Sequence, residues 1–153
     1  MTDTKAIMQR FGINVKADDI RPLGNGLIND TFKVTTPGDE QPDYVLQRIN
    51  HNIFTDVDCL QHNIEAVTGH IRKKLRDEGI SDISRRCLEF VKDSETGKTY
   101  YFDGDSYWRV MVFIKDAYTY ETVNAEYSYY AGLGFGDFQR MLADIHDRLE
   151  ESI

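Results

Sequence analysis

The chain has 153 residues, enough for one domain that buries roughly two-thirds of its unfolded surface. Its 18 Lys and Arg against 26 Asp and Glu leave a net charge of −8, which argues against a general binder of nucleic acid or anionic membrane for want of a basic field. A nucleotide needs only local donors and is compatible with that balance. Hydrophobic residues at 41% and charged ones at 29% describe a globular domain, not a disordered one. Cys59 and Cys87 are too few for a disulfide framework and read as small buried hydrophobes. No apolar run approaches the ~20 residues of a membrane span, and the N-terminus lacks a basic stretch followed by an apolar one. A cytoplasmic, reduced setting is expected.

In chain order, Ala6, Ile7 and Phe11 stand at helical spacing, with Thr2 or Asp3 as the cap and Gly12 as the stop. Ile20 to Leu23 lead into a glycine loop, Gly24-Asn25-Gly26, and a strand follows it. From Thr31 to Thr36 the pattern alternates, with Phe32 and Val34 on one face and Thr31, Lys33 and Thr35 on the other. Pro37-Gly38-Asp39 supplies a turn, and Tyr44 to Ile49 form a third strand. Because this loop joins two strands, the dinucleotide and Walker readings fail, since both need a helix after the glycines. Two readings remain. One is an ordinary hairpin that needs positive φ at Gly24, Asn25 or Gly26. The other is a lid whose glycines let backbone N–H groups lie against a nucleotide's phosphates.

Thr55 or Asp56 caps a long helix ending near Gly79, with Val57, Leu60, Ile64, Val67, Ile71 and Leu75 as its apolar stripe. Arg72, Lys73, Lys74 and Arg76 in its last turns read as a solvated helix end suited to the dipole. Strands are expected over Leu88 to Lys92, Thr99 to Phe102 and Tyr107 to Ile114. The Asp103-Gly104-Asp105 between the last two reads as a hairpin turn, not a metal site. Lys115 to Val123 is a connector. A second long helix begins near Asn124, with Tyr127, Ala131, Gly134, Phe138, Met141, Ile145 and Leu149 as a buried stripe. Gly132, Gly134 and Gly136 are assigned to close helix packing. His51, His62, His70 and His146 show no metal spacing, and Ile145-His146-Asp147 is a chance match to a catalytic-loop motif, because Ser152 stands where that motif has Asn. No catalytic residue and no metal ligand is assigned.

Four blocks carry a resemblance: Gly24 to Thr31 (GNGLINDT), Tyr44 to Asn50 (YVLQRIN), Tyr107 to Ile114 (YWRVMVFI) and Gly134 to Leu142 (GFGDFQRML). Together they resemble bacterial members of the aminoglycoside phosphotransferase and choline kinase superfamily, closest to the branch of the N-acetylhexosamine 1-kinases. The resemblance implies an α+β, protein-kinase-like N-terminal lobe: about five antiparallel strands with one long packed helix, over residues 1–115. A hinge and the first helix of a C-terminal lobe would fill 116–153.

By that resemblance Gly24, Asn25, Gly26, Asn29 and Asp30 cover the phosphates of ATP, and backbone groups of Phe113, Ile114 and Lys115 bind adenine. A basic residue on the third strand pairs with the α/β-phosphates, braced by a helix glutamate. Arg48 and Glu65 are the candidates. The family often has arginine or lysine where Gln47 aligns here, and alternation lets only one of Gln47 and Arg48 face the cleft; Arg48 is expected to. The family's catalytic aspartate, its metal-binding pair and most sugar contacts belong to the C-terminal lobe, and no H-G-D-x-x-x-x-N pattern occurs. The chain therefore looks like the ATP-binding lobe of a sugar kinase, cut before its catalytic loop and inactive alone. Mg²⁺ and a sugar acceptor are expected only in the full-length enzyme. Self-association through an uncovered C-terminal helix is expected as well. The alternative is a non-catalytic α+β module that binds a protein through Tyr118, Tyr120, Tyr127, Tyr129 and Tyr130. Neither reading involves nucleic acid or membrane.

Overall fold

A computed structural model describes residues 3–24, 26–146 and 149. Helix α1, Thr4–Arg10, starts where the Asp3 carboxylate accepts the Ala6 N–H at 3.2 Å and gives way at Gly12, whose φ of 76° suits glycine. Thr2, the other expected cap, lies outside the described residues. A 3₁₀ turn, Ala17–Asp19, leads into β1, Ile20–Pro22; then come β2, Asp30–Val34, and β3, Tyr44–Ile49. After α2, Val57–Asp77, and the single turn α3, Ile83–Arg86, the chain adds β4, Tyr101–Phe102, and β5, Tyr107–Val112. The five strands form one antiparallel sheet in the order β1-β2-β3-β5-β4. Helix α4, Ala125–Leu142, closes the described chain. The fold is α+β with a five-stranded antiparallel sheet and a long packed helix, as expected.

Period-two alternation divides the sheet into two unlike faces. Val34, Leu46, Trp108 and Val110 point to one side, where Ile7, Met8 and Phe11 of the α1 segment cover them with Ile13 and Val15. Val34, Leu46 and Val110 are fully buried, and each such side chain contributes about 1.5–3 kcal/mol. The opposite face carries Thr31, Gln47 and Arg109, in register across β2, β3 and β5, and lies under α2.

Asp56 caps α2 by accepting the Cys59 N–H at 2.9 Å, and Gly79, with φ 75°, follows its end. None of the six predicted stripe residues is exposed. The basic end of α2 is only partly solvated: Arg72 donates to the Leu88 carbonyl at 2.6 Å, and Lys74 pairs with Asp144.

Several expected strands are shorter than their sequences suggest, and Thr99 to Phe102 keeps only Tyr101–Phe102. Residues 88–92 form only a bridge, Phe90 with Met111, flanked by Val91 N–H to Val110 O and Val112 N–H to Glu89 O, both at 2.9 Å. Asp93 draws this segment toward α1: 2% exposed, it accepts Arg10 Nε at 2.9 and 3.0 Å and the Glu95 N–H at 2.8 Å. Strand β5 ends at Val112, although Phe113 N–H still donates to the Asp43 carbonyl at 2.9 Å, the next position of the β3–β5 register. Asp103 does serve a turn, accepting the N–H groups of Asp105 and Ser106 at 2.9 and 2.8 Å and the Trp108 indole at 2.9 Å.

Helix α4 corrects a larger expectation. Asn124 caps it, accepting the Tyr127 N–H at 2.9 Å, yet Ala131, Gly134 and Phe138 are exposed and only Met141 is buried. A Cβ on Gly132, Gly134 or Gly136 would meet open space, so close packing does not explain these glycines. The reason is where α4 touches the body. Its last turns do so, through Met141 against Ile71, Leu75 and Cys87 and through Arg140 to Glu78 at 2.6 Å. Asp147 lies outside the described residues. Among the described residues no helix is long and apolar enough to cross a membrane.

Candidate nucleotide site

The α2 side of the sheet holds a continuous hydrogen-bonded row. Gln47 Nε2 donates to Thr31 Oγ1 at 3.1 Å, and Gln47 Oε1 accepts from Arg109 Nε at 2.9 Å. Arg109 Nη1 donates to Gln61 Oε1 at 2.9 Å, and Gln61 Nε2 reaches the Thr99 hydroxyl and carbonyl at 3.0 and 3.2 Å. The row thus crosses from β2 through β3 and β5 to α2. Gln61 is 1% exposed, so its full hydrogen bonding is obligatory. Phe90 lies under the guanidinium, with Arg109 Cζ 5.6 Å from the ring centroid. Burial pulls the Arg109 pKa down to about 10, which leaves it a cation at physiological pH.

Gln47 and Arg109 form one wall of a hollow of about 460 Å³; Ile64, Val67, Phe90 and Met111 are among its apolar neighbours. Two positions along the strands, Lys33 shares this face, its Nζ 4.4 Å from the centre of the Phe113 ring.

The glycine loop meets the row at its β2 end. Gly24 has φ 69°, which glycine adopts without strain. A Cβ on Gly26 would fall 2.4 Å from the Asn29 carbonyl oxygen and 3.9 Å from Thr31 Oγ1. Gly26 is therefore required by the loop's own backbone, whatever lies beneath it. The Asn29 side chain accepts the Asn50 N–H at 2.9 Å, pinning the loop to the end of β3. Asn25 lies outside the described residues.

Arg48 is placed differently from the expectation. Gln47 faces α2, so Arg48 faces away, with its Nε on Asp30 Oδ2 at 2.8 Å, directly opposite in register. This pair is exposed and lines a separate hollow of about 400 Å³ with Asn50, His51 and Ser106. Glu65 is exposed, and no ion pair joins it to Arg48 among the described residues. The α2 residue that faces the sheet is Gln61, one turn earlier, and the cation beside it is Arg109.

At the expected hinge, Phe113 N–H is taken by the Asp43 carbonyl, and the Lys115 carbonyl accepts from Arg85 Nη1 at 2.5 Å. Ile114 keeps its backbone groups free of protein hydrogen bonds among the described residues. Sequence reasoning missed Arg109, Gln61 and Lys33. Gln61 had a signal: it stands four residues after Val57 and three before Ile64, inside the apolar stripe. No protein-family model matches the chain.

Proposed function

We propose that this chain is the ATP-binding lobe of a small-molecule phosphotransferase, with a sugar hydroxyl as the acceptor. One observation carries the reading: a glycine loop between antiparallel strands ends beside a polar row that runs under a long helix and includes a half-buried cation. That arrangement suits a triphosphate laid along the sheet, with adenine at the hinge end near Phe113 and Ile114. The strand order and the placement of α2 after β3 agree with the kinase-like lobe that the sequence resembles. In that family phosphoryl transfer rests on positioning and Mg²⁺ electrostatics, with the general base and the metal-binding pair on a second lobe.

The test is thermal unfolding with Mg-ATP and with adenosine. Saturation at 100 times Kd contributes about 2.7 kcal/mol, and a chain of this size moves roughly 2–4 °C per kcal/mol, so Tm should rise by roughly 5–10 °C. No shift with either ligand at millimolar concentration would remove the nucleotide reading. It would select the second one, a non-catalytic α+β module, which is favoured by exposed aromatic side chains such as Tyr118, Tyr120, Tyr129 and Phe135.

A further inference from the structure

We infer that Arg109 on β5 is the group that binds the phosphate oxygens, in the hollow between α2 and the sheet, where no β3 cation is present. The inference rests on the nucleotide-site reading but stands on its own geometry. Arg109 is half-buried, and both its protein acceptors, Gln47 Oε1 and Gln61 Oε1, are neutral amides. A guanidinium partly withdrawn from water gains from a carboxylate partner, because desolvating an uncompensated charge is costly. This chain has carboxylates to spare, and Arg10, Arg48, Arg72, Arg86 and Arg140 all pair with one. Among the described residues Arg109 does not, nor do the exposed Arg21, Arg76 and Arg85, and neither does Lys33 on the same face, which has an aromatic ring for company. Among the described residues the α2 face thus carries two cations without an ion-paired carboxylate, in a protein of net charge −8.

The guanidinium has hydrogen-bonding capacity left. Its Nε and Nη1 are engaged, and no acceptor for Nη2 occurs among the described residues. Nη2 is not sealed away either: among the described residues the buried polar side-chain atom without a partner is Arg72 Nε. The two amides hold the planar group in one orientation while it borders the open hollow. A fixed guanidinium edge at an accessible, partly desolvated site binds a phosphate oxygen by charge-assisted hydrogen bonds. The ligand class is a polyphosphate, with Lys33 toward the hinge as a second cation.

Calorimetric titration of the wild type, Arg109→Met and Gln61→Glu with ATP, adenosine and inorganic tripolyphosphate tests this. The glutamate variant supplies the missing carboxylate while leaving Arg109 in place. Tripolyphosphate should bind the wild type, and both variants should lose at least tenfold in its affinity and in the preference for ATP over adenosine. An unchanged preference in the folded Gln61→Glu protein, with ATP still bound, would overturn the Arg109 assignment and leave the nucleotide reading standing. Binding of tripolyphosphate that Gln61→Glu abolishes, without any adenosine or ATP binding, would support the anion site and sink the nucleotide reading. The NMR signal of Arg109 Nε–H in the wild type serves independently of variant folding: it should shift on adding tripolyphosphate, and a stationary signal at saturation would refute the contact.

Discussion

Replacing Gln61 by leucine probes the row at its most buried point. The side chain is 1% exposed and makes three hydrogen bonds: one from Arg109 Nη1 at 2.9 Å, and two to Thr99 at 3.0 and 3.2 Å. Leucine fills a similar volume, so the cavity term is small and the loss falls on polar groups left without partners. The charge-assisted bond is worth about 1.5–3 kcal/mol and the two neutral ones about 1 kcal/mol each, offset by only about 1 kcal/mol from leucine because the glutamine's own methylenes are already buried. The net is a destabilisation of about 2–4 kcal/mol, or roughly 5–15 °C in Tm for a chain of this length. Urea unfolding followed by circular dichroism reads it, with an unchanged m-value showing that the fold is retained. Glu65→Leu, one turn on and exposed, is the control, expected within about 0.5 kcal/mol of wild type. A Gln61→Leu loss below 1 kcal/mol, or a loss at Glu65 equal to it, would refute the claim that Gln61 and not Glu65 is the α2 residue buttressing the sheet.

Arg48→Ala should cost under about 1 kcal/mol, because its Asp30 partner is on the surface, and ATP affinity should stay within about twofold. A tenfold loss of ATP measured by calorimetry would put Arg48 back in the site. Asp144 is held near a pKa of about 2 by Lys74 first and His70 second. A carboxylate depressed on folding contributes stability above its ordinary value near ~3.9, and that contribution disappears as pH falls through about 2. The urea midpoint of wild type should therefore drop more between pH 4 and pH 2 than that of Asp144→Asn, and parallel curves would show that these contacts do not hold the end of α4.

Local patterns determined much of this molecule. Asp3, Asp56 and Asn124 start helices because a short polar side chain can satisfy N–H groups that no earlier turn can reach. Alternation in Tyr44–Ile49 required Gln47 and Arg48 to face opposite ways, and the six-residue stripe of α2 marked its buried side. Which of the two β3 residues faces inward was beyond the sequence, because Val45 and Leu46 are equally able to line a core. Tertiary packing decided it: α1 covers the Leu46 face and α2 the Gln47 face, so Arg48 went outward to Asp30. Glu65 looked apt by charge, but a helix places its side chains every 100°, and the rotation that seats Val57, Ile71 and Leu75 points Gln61 at the sheet instead. Arg109 sat unmarked in an apolar strand, since its importance comes from two glutamines 62 and 48 positions away. The periodicity of α4 predicted a buried stripe that the described structure covers only in part, because a repeat records a face suited to burial and only a neighbouring surface can bury it.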